Sequence, residues 1–249
     1  MAIELDDSDR DRYSRQLLLH SFTEAEQAEL AASRVLVVGA GGLGSAIIQY
    51  LAAAGVGGLG IADGGRVKRS NLQRQTIHRT ADIDTPKVES AARFVRELNP
   101  TVTVRTYAEK MTSNNAPTLA EEYDVIVDGL DNFEGRIVLN EVAREADIPF
   151  VHGAVYGDEG QTTVFVPDGP CYRCLVPDLP DADLIPSGEP MGIFPPIPGI
   201  VGCIQASETI KYLIGRGEVL SGRLLRYDAL DSAFTDIPIR PRPDCEVCG

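Results

Sequence analysis

The chain has 249 residues, 43% of them hydrophobic, enough to bury a full core as one large domain or a domain with an extension. Its formal net charge of −14 offers no basic face for nucleic acid, and no uninterrupted apolar run reaches membrane-span length. No nucleic-acid or membrane partner is therefore expected. Lysine is scarce (Lys68, Lys87, Lys110 and Lys211) against 37 aspartates and glutamates, a skew that keeps a surface hydrated in concentrated salt and predicts a halophilic source. The acidic start, MAIELDDSDRDR, lacks the charged-then-apolar order of a signal peptide and predicts a cytoplasmic location.

Residues 1–33 read as a helical arm, with Thr23 and Glu26 at capping-box spacing ahead of a helix to about Ala32. From Arg34 to Asp63 the order is strand, glycine turn (Gly39-Ala40-Gly41-Gly42-Leu43-Gly44), alanine-rich helix and second strand. Gly64 to Thr85 is polar, irregular and too long for a mere connector. Thr85 is the expected N-cap of a helix starting at Pro86, with Val88, Ala91, Ala92, Val95 and Leu98 on its apolar face and Asn99-Pro100 at its end. A strand at Val102–Tyr107, a short helix at Pro117–Glu122, a buried strand at Asp124–Asp128, a helix at Phe133–Asp147 and a strand near Pro149–Val151 follow. This alternation predicts an α/β fold, with a doubly wound, mostly parallel, Rossmann-like sheet in a nucleotide-binding core at 34–153.

After Gly153 the pattern changes. Residues 154–249 read as a smaller β-rich part, with strands at 161–166, 223–228 and 234–239 and a helix from Val201 to Ile214. Between them lies a proline-rich crossover loop, 175–199, which is not expected to hold a helix. Two C-x-x-C pairs, Cys171/Cys174 and Cys245/Cys248, predict a single tetrahedral zinc site that staples this part. Four thiolates leave no open coordination position, so that metal is structural.

The glycine turn alone satisfies a dinucleotide fingerprint: Gly39, Gly41 and Gly42 let phosphate approach a helix N-terminus, and Asp63 stands where a ribose hydroxyl is bonded. A redox protein is a competitor at this point. The neighbourhood argues otherwise. Arg66, Lys68, Arg69, Arg74 and Arg79 crowd the irregular segment, and Lys87 opens the next helix. Attack at an α-phosphorus needs such cations together with a carboxylate for Mg²⁺. Asp131, just beyond a strand's C-terminal end, is the preferred carboxylate, with Asp128 the alternative.

The tracts Arg12-Tyr-Ser-Arg-Gln16, Gly39–Gly44, Ser70-Asn-Leu-Gln-Arg-Gln75, Pro86-Lys87 and Asp131-Asn-Phe133, with the paired cysteines, resemble the MoeB/ThiF family of ubiquitin-activating-enzyme-like adenylyltransferases. The resemblance is nearest to the molybdopterin-synthase adenylyltransferase and archaeal activator branches. It implies ATP-dependent adenylation of the C-terminal Gly-Gly carboxylate of a ubiquitin-like β-grasp sulfur-carrier protein. The product would feed sulfur transfer for molybdenum cofactor, thiolated tRNA or thiamine. Peptide adenylation in natural-product synthesis and a non-catalytic, carrier-binding dimer are the alternatives. The resemblance further implies that Gly41 and its neighbours contact phosphate and Asp63 the ribose. Asn71, Arg74 and Lys87 would hold the phosphates, and Asp131 would hold Mg²⁺. Arg15 would reach the partner subunit's ATP site, making a homodimer the active unit. Arg136 matches the family pattern and is expected to order the site. Many relatives carry a cysteine in the crossover loop; here that region reads Ile185-Pro-Ser-Gly-Glu-Pro190, which predicts adenylation without a thioester on the enzyme. Cys203 is expected to be a small buried residue rather than a replacement, and His20, His78 and His152 to be structural.

Overall fold

A computed structural model describes residues 4–178 and 192–249. The N-terminal arm is α1 (Asp7–Arg12), α2 (Ser14–Leu17) and α3 (Glu24–Ala32). The capping box before α3 is present: the Glu26 N–H donates to Thr23 Oγ1 at 3.2 Å and the Thr23 N–H to Glu26 Oε2 at 2.6 Å.

Then come β1 (Arg34–Val38), α4 (Gly42–Ala54), β2 (Gly58–Ala62), α5 (Lys87–Leu98), β3 (Thr103–Tyr107), α6 (Ala116–Ala120), β4 (Val125–Asp128) and α7 (Phe133–Glu145). They are followed by β5 (Phe150–Tyr156), β6 (Glu159–Phe165), α8 (Tyr172–Leu175), α9 (Pro196–Leu213), β7 (Arg223–Asp228) and β8 (Ala233–Pro238). The sheet has eight strands in the order β3-β2-β1-β4-β5-β6-β7-β8. Neighbours from β3 to β5 pair in parallel, and those from β5 to β8 antiparallel.

Alternation along the central strands sends side chains to two cores. Val35 and Val37 of β1 join Ile47, Ile48, Val88, Val95, Ile197 and Val201 on one face. Leu36 and Val38 join Ile126, Leu139, Val142, Phe150 and Tyr172 on the other. Helices thus cover both faces, as a doubly wound sheet requires.

The structure differs from the sequence expectations in four places. Pro86, not Thr85, is the N-cap of α5, and it supplies no side-chain cap. The division between 153 and 154 falls inside β5, and the following strands extend the same sheet, so no seam separates a core from a β-rich part. The proline-rich stretch is not loop throughout: Leu175 ends α8, and α9 begins at Pro196, five residues before Val201. First-turn N–H groups have no intrahelical acceptor, so prolines there remove nothing the helix uses. Finally, Cys203, expected to be buried, is only half-buried, within α9 near Tyr50. Ser187 and Gly188 lie outside the described residues. None of the described helices is long and apolar enough to cross a membrane.

Candidate active site

The nucleotide-type turn sits where strand order reverses, with β1 flanked by β2 and β4. Gly39 has φ 103°, and a Cβ there would strike the Gly129 carbonyl, so the ends of β1 and β4 touch backbone to backbone. The crossing is fastened by the Gly129 N–H donating to Val38 O at 2.7 Å and the Gly39 N–H to Ala62 O at 2.7 Å. Gly41 is the N-cap of α4 and offers no side chain, leaving the first N–H groups of a 13-residue helix available to an anion.

Asp63 is only 14% exposed. Its Oδ2 accepts the Ala40 N–H at 2.9 Å and its Oδ1 the Gly65 N–H at 2.7 Å. The carboxylate therefore shapes the turn as well as facing the site, a role its position in the sequence did not reveal. Lys87 Nζ stands 3.7 Å from Asp63 Oδ2, which brings the opening of α5 to the same crevice.

Arg74 lies beside the turn: its Cγ is 3.5 Å from where a Gly42 Cβ would be, and its Nη1 donates weakly to Ser70 O at 3.4 Å. Asn71 closes a 3₁₀ turn (Arg69–Asn71), its Oδ1 accepting the Lys68 N–H at 3.2 Å. Arg66, Lys68, Arg69 and Arg79 are exposed. Arg66 bonds the Asp84 carbonyl, and Arg79 pairs with Glu97 at 2.8 Å.

The two candidate carboxylates separate cleanly. Asp128 is wholly buried, its Oδ2 taking Arg136 Nε at 3.0 Å and His152 Nδ1 at 2.8 Å, its Oδ1 the Leu130 N–H at 2.8 Å. Burial opposes its ionisation, but Arg136 and His152 hold it below the usual carboxylate range. Such a carboxylate is committed to protein partners. Asp131 is exposed, and Asn132 Nδ2 at 3.4 Å is its one polar neighbour among the described residues. Arg136 also donates to Leu130 O at 2.7 Å, so this buried network fixes the turn that presents Asp131. His152 is wholly buried, with its Nδ1 on Asp128.

Arg15 is not brought to this crevice. Its neighbours anchor α2 at the far end of α4: Gln16 Nε2 donates to Ala54 O at 3.3 Å, and the Tyr13 hydroxyl accepts Asn99 Nδ2 at 2.9 Å. The length of α4, about 20 Å at ~1.5 Å per residue, puts its own turn beyond the reach of an arginine side chain.

Sequence reading missed three contributors. Pro198 of α9 packs on Gly42, 2.8 Å from where a Cβ would be. Gln205 Nε2 donates to Asp128 O at 2.8 Å, so the long helix of the C-terminal part both roofs and braces the site. Gln75, buried beside Gly41, holds an amide oxygen with no donor among the described residues. The signal was present in small residues: Gly202 meets Leu43 and Ala46, so Gly42 and Ala46 on α4 face Pro198 and Gly202 on α9 at matching four-residue spacing.

The four paired cysteines converge. Their sulfur atoms lie within 4.8 Å of one another, Cys171 to Cys245 at 3.6 Å and Cys174 to Cys248 at 3.4 Å, although the two pairs are over seventy residues apart. Burial pushes the Cys171 and Cys248 thiols up. Against the same burial, the Val247 and Cys248 N–H groups draw Cys245 down to about 6. A cation among these sulfurs would relieve that competition for charge, so the donor set suits a metal ion.

Comparison with known proteins agrees with this geometry. The model of the ThiF family matches residues 13–247. The chain is 51% identical, over all of its length and 92% of the relative's, to the SAMP-activating enzyme E1 of Haloferax volcanii. It is 42% identical to the sulfur carrier protein adenylyltransferase of Thermus thermophilus, covering 96% of this chain and 90% of that one. A crystal structure of E. coli MccB, 23% identical, superposes with a TM-score of 0.88 over 99% of this chain and 76% of that chain, a likeness of fold. The chain belongs to the ThiF family.

Proposed function

We propose that this protein adenylates the C-terminal Gly-Gly carboxylate of a ubiquitin-like β-grasp sulfur-carrier protein, consuming ATP and releasing pyrophosphate. The juxtaposition of a bare helix N-terminus with Arg74, Lys87 and the uncommitted Asp131 carboxylate carries this reading. The names of the relatives from Haloferax volcanii and Thermus thermophilus support it. The excess of 37 acidic over 23 basic residues supports a halophilic setting.

The carrier carboxylate is ionised at neutral pH, so no general base is needed. Its oxygen bonds to the α-phosphorus of ATP as the bond to the pyrophosphate oxygen breaks. Asp63 orients the ribose, and the helix N-terminus at Gly41 and Gly42 binds phosphate. Asn71, Arg74 and Lys87 hold the charge that moves onto the leaving group. Asp131 offers the hard oxygen donor that Mg²⁺ prefers, and that ion would neutralise phosphate charge. The sulfur–sulfur distances of 3.6 Å and 3.4 Å are close to what about 2.3 Å zinc–sulfur bonds in a tetrahedron give, which supports zinc. Stripping it with a chelator is expected to lower the melting temperature, with zinc alone restoring it; an unchanged melting curve after verified metal loss would contradict a structural metal.

The position of Arg15 supports a homodimer in which it completes the partner's site. Co-expressed Arg15→Ala and Arg74→Ala chains are expected to recover about a quarter of wild-type exchange, because half the dimers are mixed and each holds one intact site. Recovery absent from verified mixed dimers would place Arg15 in its own subunit's site, and exchange by Arg15→Ala chains alone would place it outside the mechanism. Without a cysteine at 185–190, no reducible enzyme–carrier adduct is expected on a non-reducing gel, and its appearance would contradict that reading. ATP–pyrophosphate exchange that depends on a Gly-Gly-ended carrier tests the function itself.

A further inference from the structure

Behind the glycine turn lies a buried polar chain that the mechanism above does not use. His78 Nε2 is 2.9 Å from the Ala40 carbonyl oxygen, and Nδ1 is 2.8 Å from Ser90 Oγ. That hydroxyl is in turn 2.7 Å from Asp82 Oδ2. Asp82 also accepts the Arg79 N–H at 2.8 Å and pairs with Arg93. Ser90, His78 and Asp82 are all 5% exposed or less.

A count of protons makes the chain informative. Both ends, a carbonyl and a carboxylate, only accept. Three contacts therefore need three protons, while a neutral imidazole and a serine hydroxyl supply two. The third makes His78 an imidazolium and satisfies every link. Without it, one contact of hydrogen-bond length sets two lone pairs against each other. The charged groups facing His78 are Lys87 of α5, Asp63 beyond β2 and Asp82 in its own segment. Burial, with help from Lys87, holds the imidazole below its usual value despite the Ala40 bond and the two carboxylates. Asp82 stays ionised against burial through Ser90, Arg79 and Arg93. A neutral imidazole thus leaves the chain one proton short.

Ala40 is pinned on both sides, its N–H by Asp63 and its carbonyl by His78. A planar trans peptide points its N–H opposite to its C=O. Drawing the Ala40 carbonyl inward therefore turns the Gly41 N–H outward, toward the crevice, and it meets no acceptor among the described residues.

We propose that His78 is the positioning residue of the glycine turn and takes up a proton when a triphosphate occupies the crevice. This rests on the nucleotide reading above. The triphosphate's negative charge, next to Lys87, supplies what the imidazolium lacks, and the completed chain locks the Gly41 N–H onto phosphate. Since the bound-state pKa lies above the free-state value, protons are taken up between the two, and ATP affinity weakens as pH rises through that window.

The chain has three histidines, His20, His78 and His152, so imidazole resonances of the full-length protein can be followed one by one. The His78 midpoint is expected to rise by about one pH unit or more on adding Mg·ATP without carrier. His78→Gln keeps an amide donor for Ala40 but cannot take a proton, so it should bind ATP within about tenfold of wild type, with a flat pH dependence. If that variant fails to fold, the wild-type titration still decides: exposed His20 stands apart, and Ser90→Ala perturbs His78 but not His152. A His78 midpoint that stays or falls while ATP is demonstrably bound overturns the proposal. Failure of the wild-type protein to bind ATP would overturn the nucleotide reading instead.

Discussion

Alanine at Arg74 or at Asp131 is expected to lower carrier-dependent ATP–pyrophosphate exchange by about a thousandfold, the scale on which a single group stabilising developing charge acts. Neither substitution should disturb the fold. Asp131 is exposed and makes one weak contact, and Arg74 is half-buried, with its guanidinium bonded only weakly to Ser70 O at 3.4 Å. Melting curves should therefore shift by no more than about 0.5 kcal/mol of stability. Stopped exchange with an unshifted melting curve and unchanged metal content assigns both groups to chemistry. A large stability loss would return them to the framework.

The opposite pattern is expected three residues away. Asp128→Ala removes the counter-charge of Arg136 and the partner of His152 where both are buried, and a broken buried pair costs about 3–5 kcal/mol. Asp128→Asn keeps the shape and one acceptor, so its loss should be smaller. The sign of the pH dependence follows from the depressed Asp128 pKa. Its stabilisation is complete above the unfolded carboxylate value of about 4 and disappears as pH falls through the lower folded value. Wild-type stability should therefore decline in that acid window, and Asp128→Asn should flatten the decline. An Asp128→Ala protein as stable as wild type would show that this network does not hold the Asp131 turn.

The pair illustrates what could be read from the chain and what could not. Asp128 and Asp131 lie on one strand end, and sequence ranks them only by position relative to that end. Their division of labour depends on Arg136, His152 and Gln205, which reach Asp128 from α7, β5 and α9. The parallel half of the sheet was legible because buried apolar runs alternate with amphipathic helices of the right length. The start of α9 was not, since proline forbids helix interiors yet suits a first turn, and composition alone does not say which applies. Nor was continuity past residue 153: β5 turns into an antiparallel hairpin with β6, and the antiparallel half of one sheet looks in sequence like the start of another unit.

The paired cysteines were legible because chemistry restricts what two C-x-x-C spacings can do, wherever the fold carries them. The His78 chain was hidden for the converse reason. Histidine, serine and aspartate at 78, 90 and 82 have no shared spacing rule, and only the packing of α5 against the turn brings them into line.

The central claim is that the crevice over Gly41 activates a carrier's terminal carboxylate. ATP–pyrophosphate exchange, measured with each small Gly-Gly-ended protein of the source organism, tests it most directly. The account predicts exchange with at least one such carrier, absent without it and abolished when its terminal glycine is removed. Exchange with none of them, by a folded and metal-loaded protein, would contradict it.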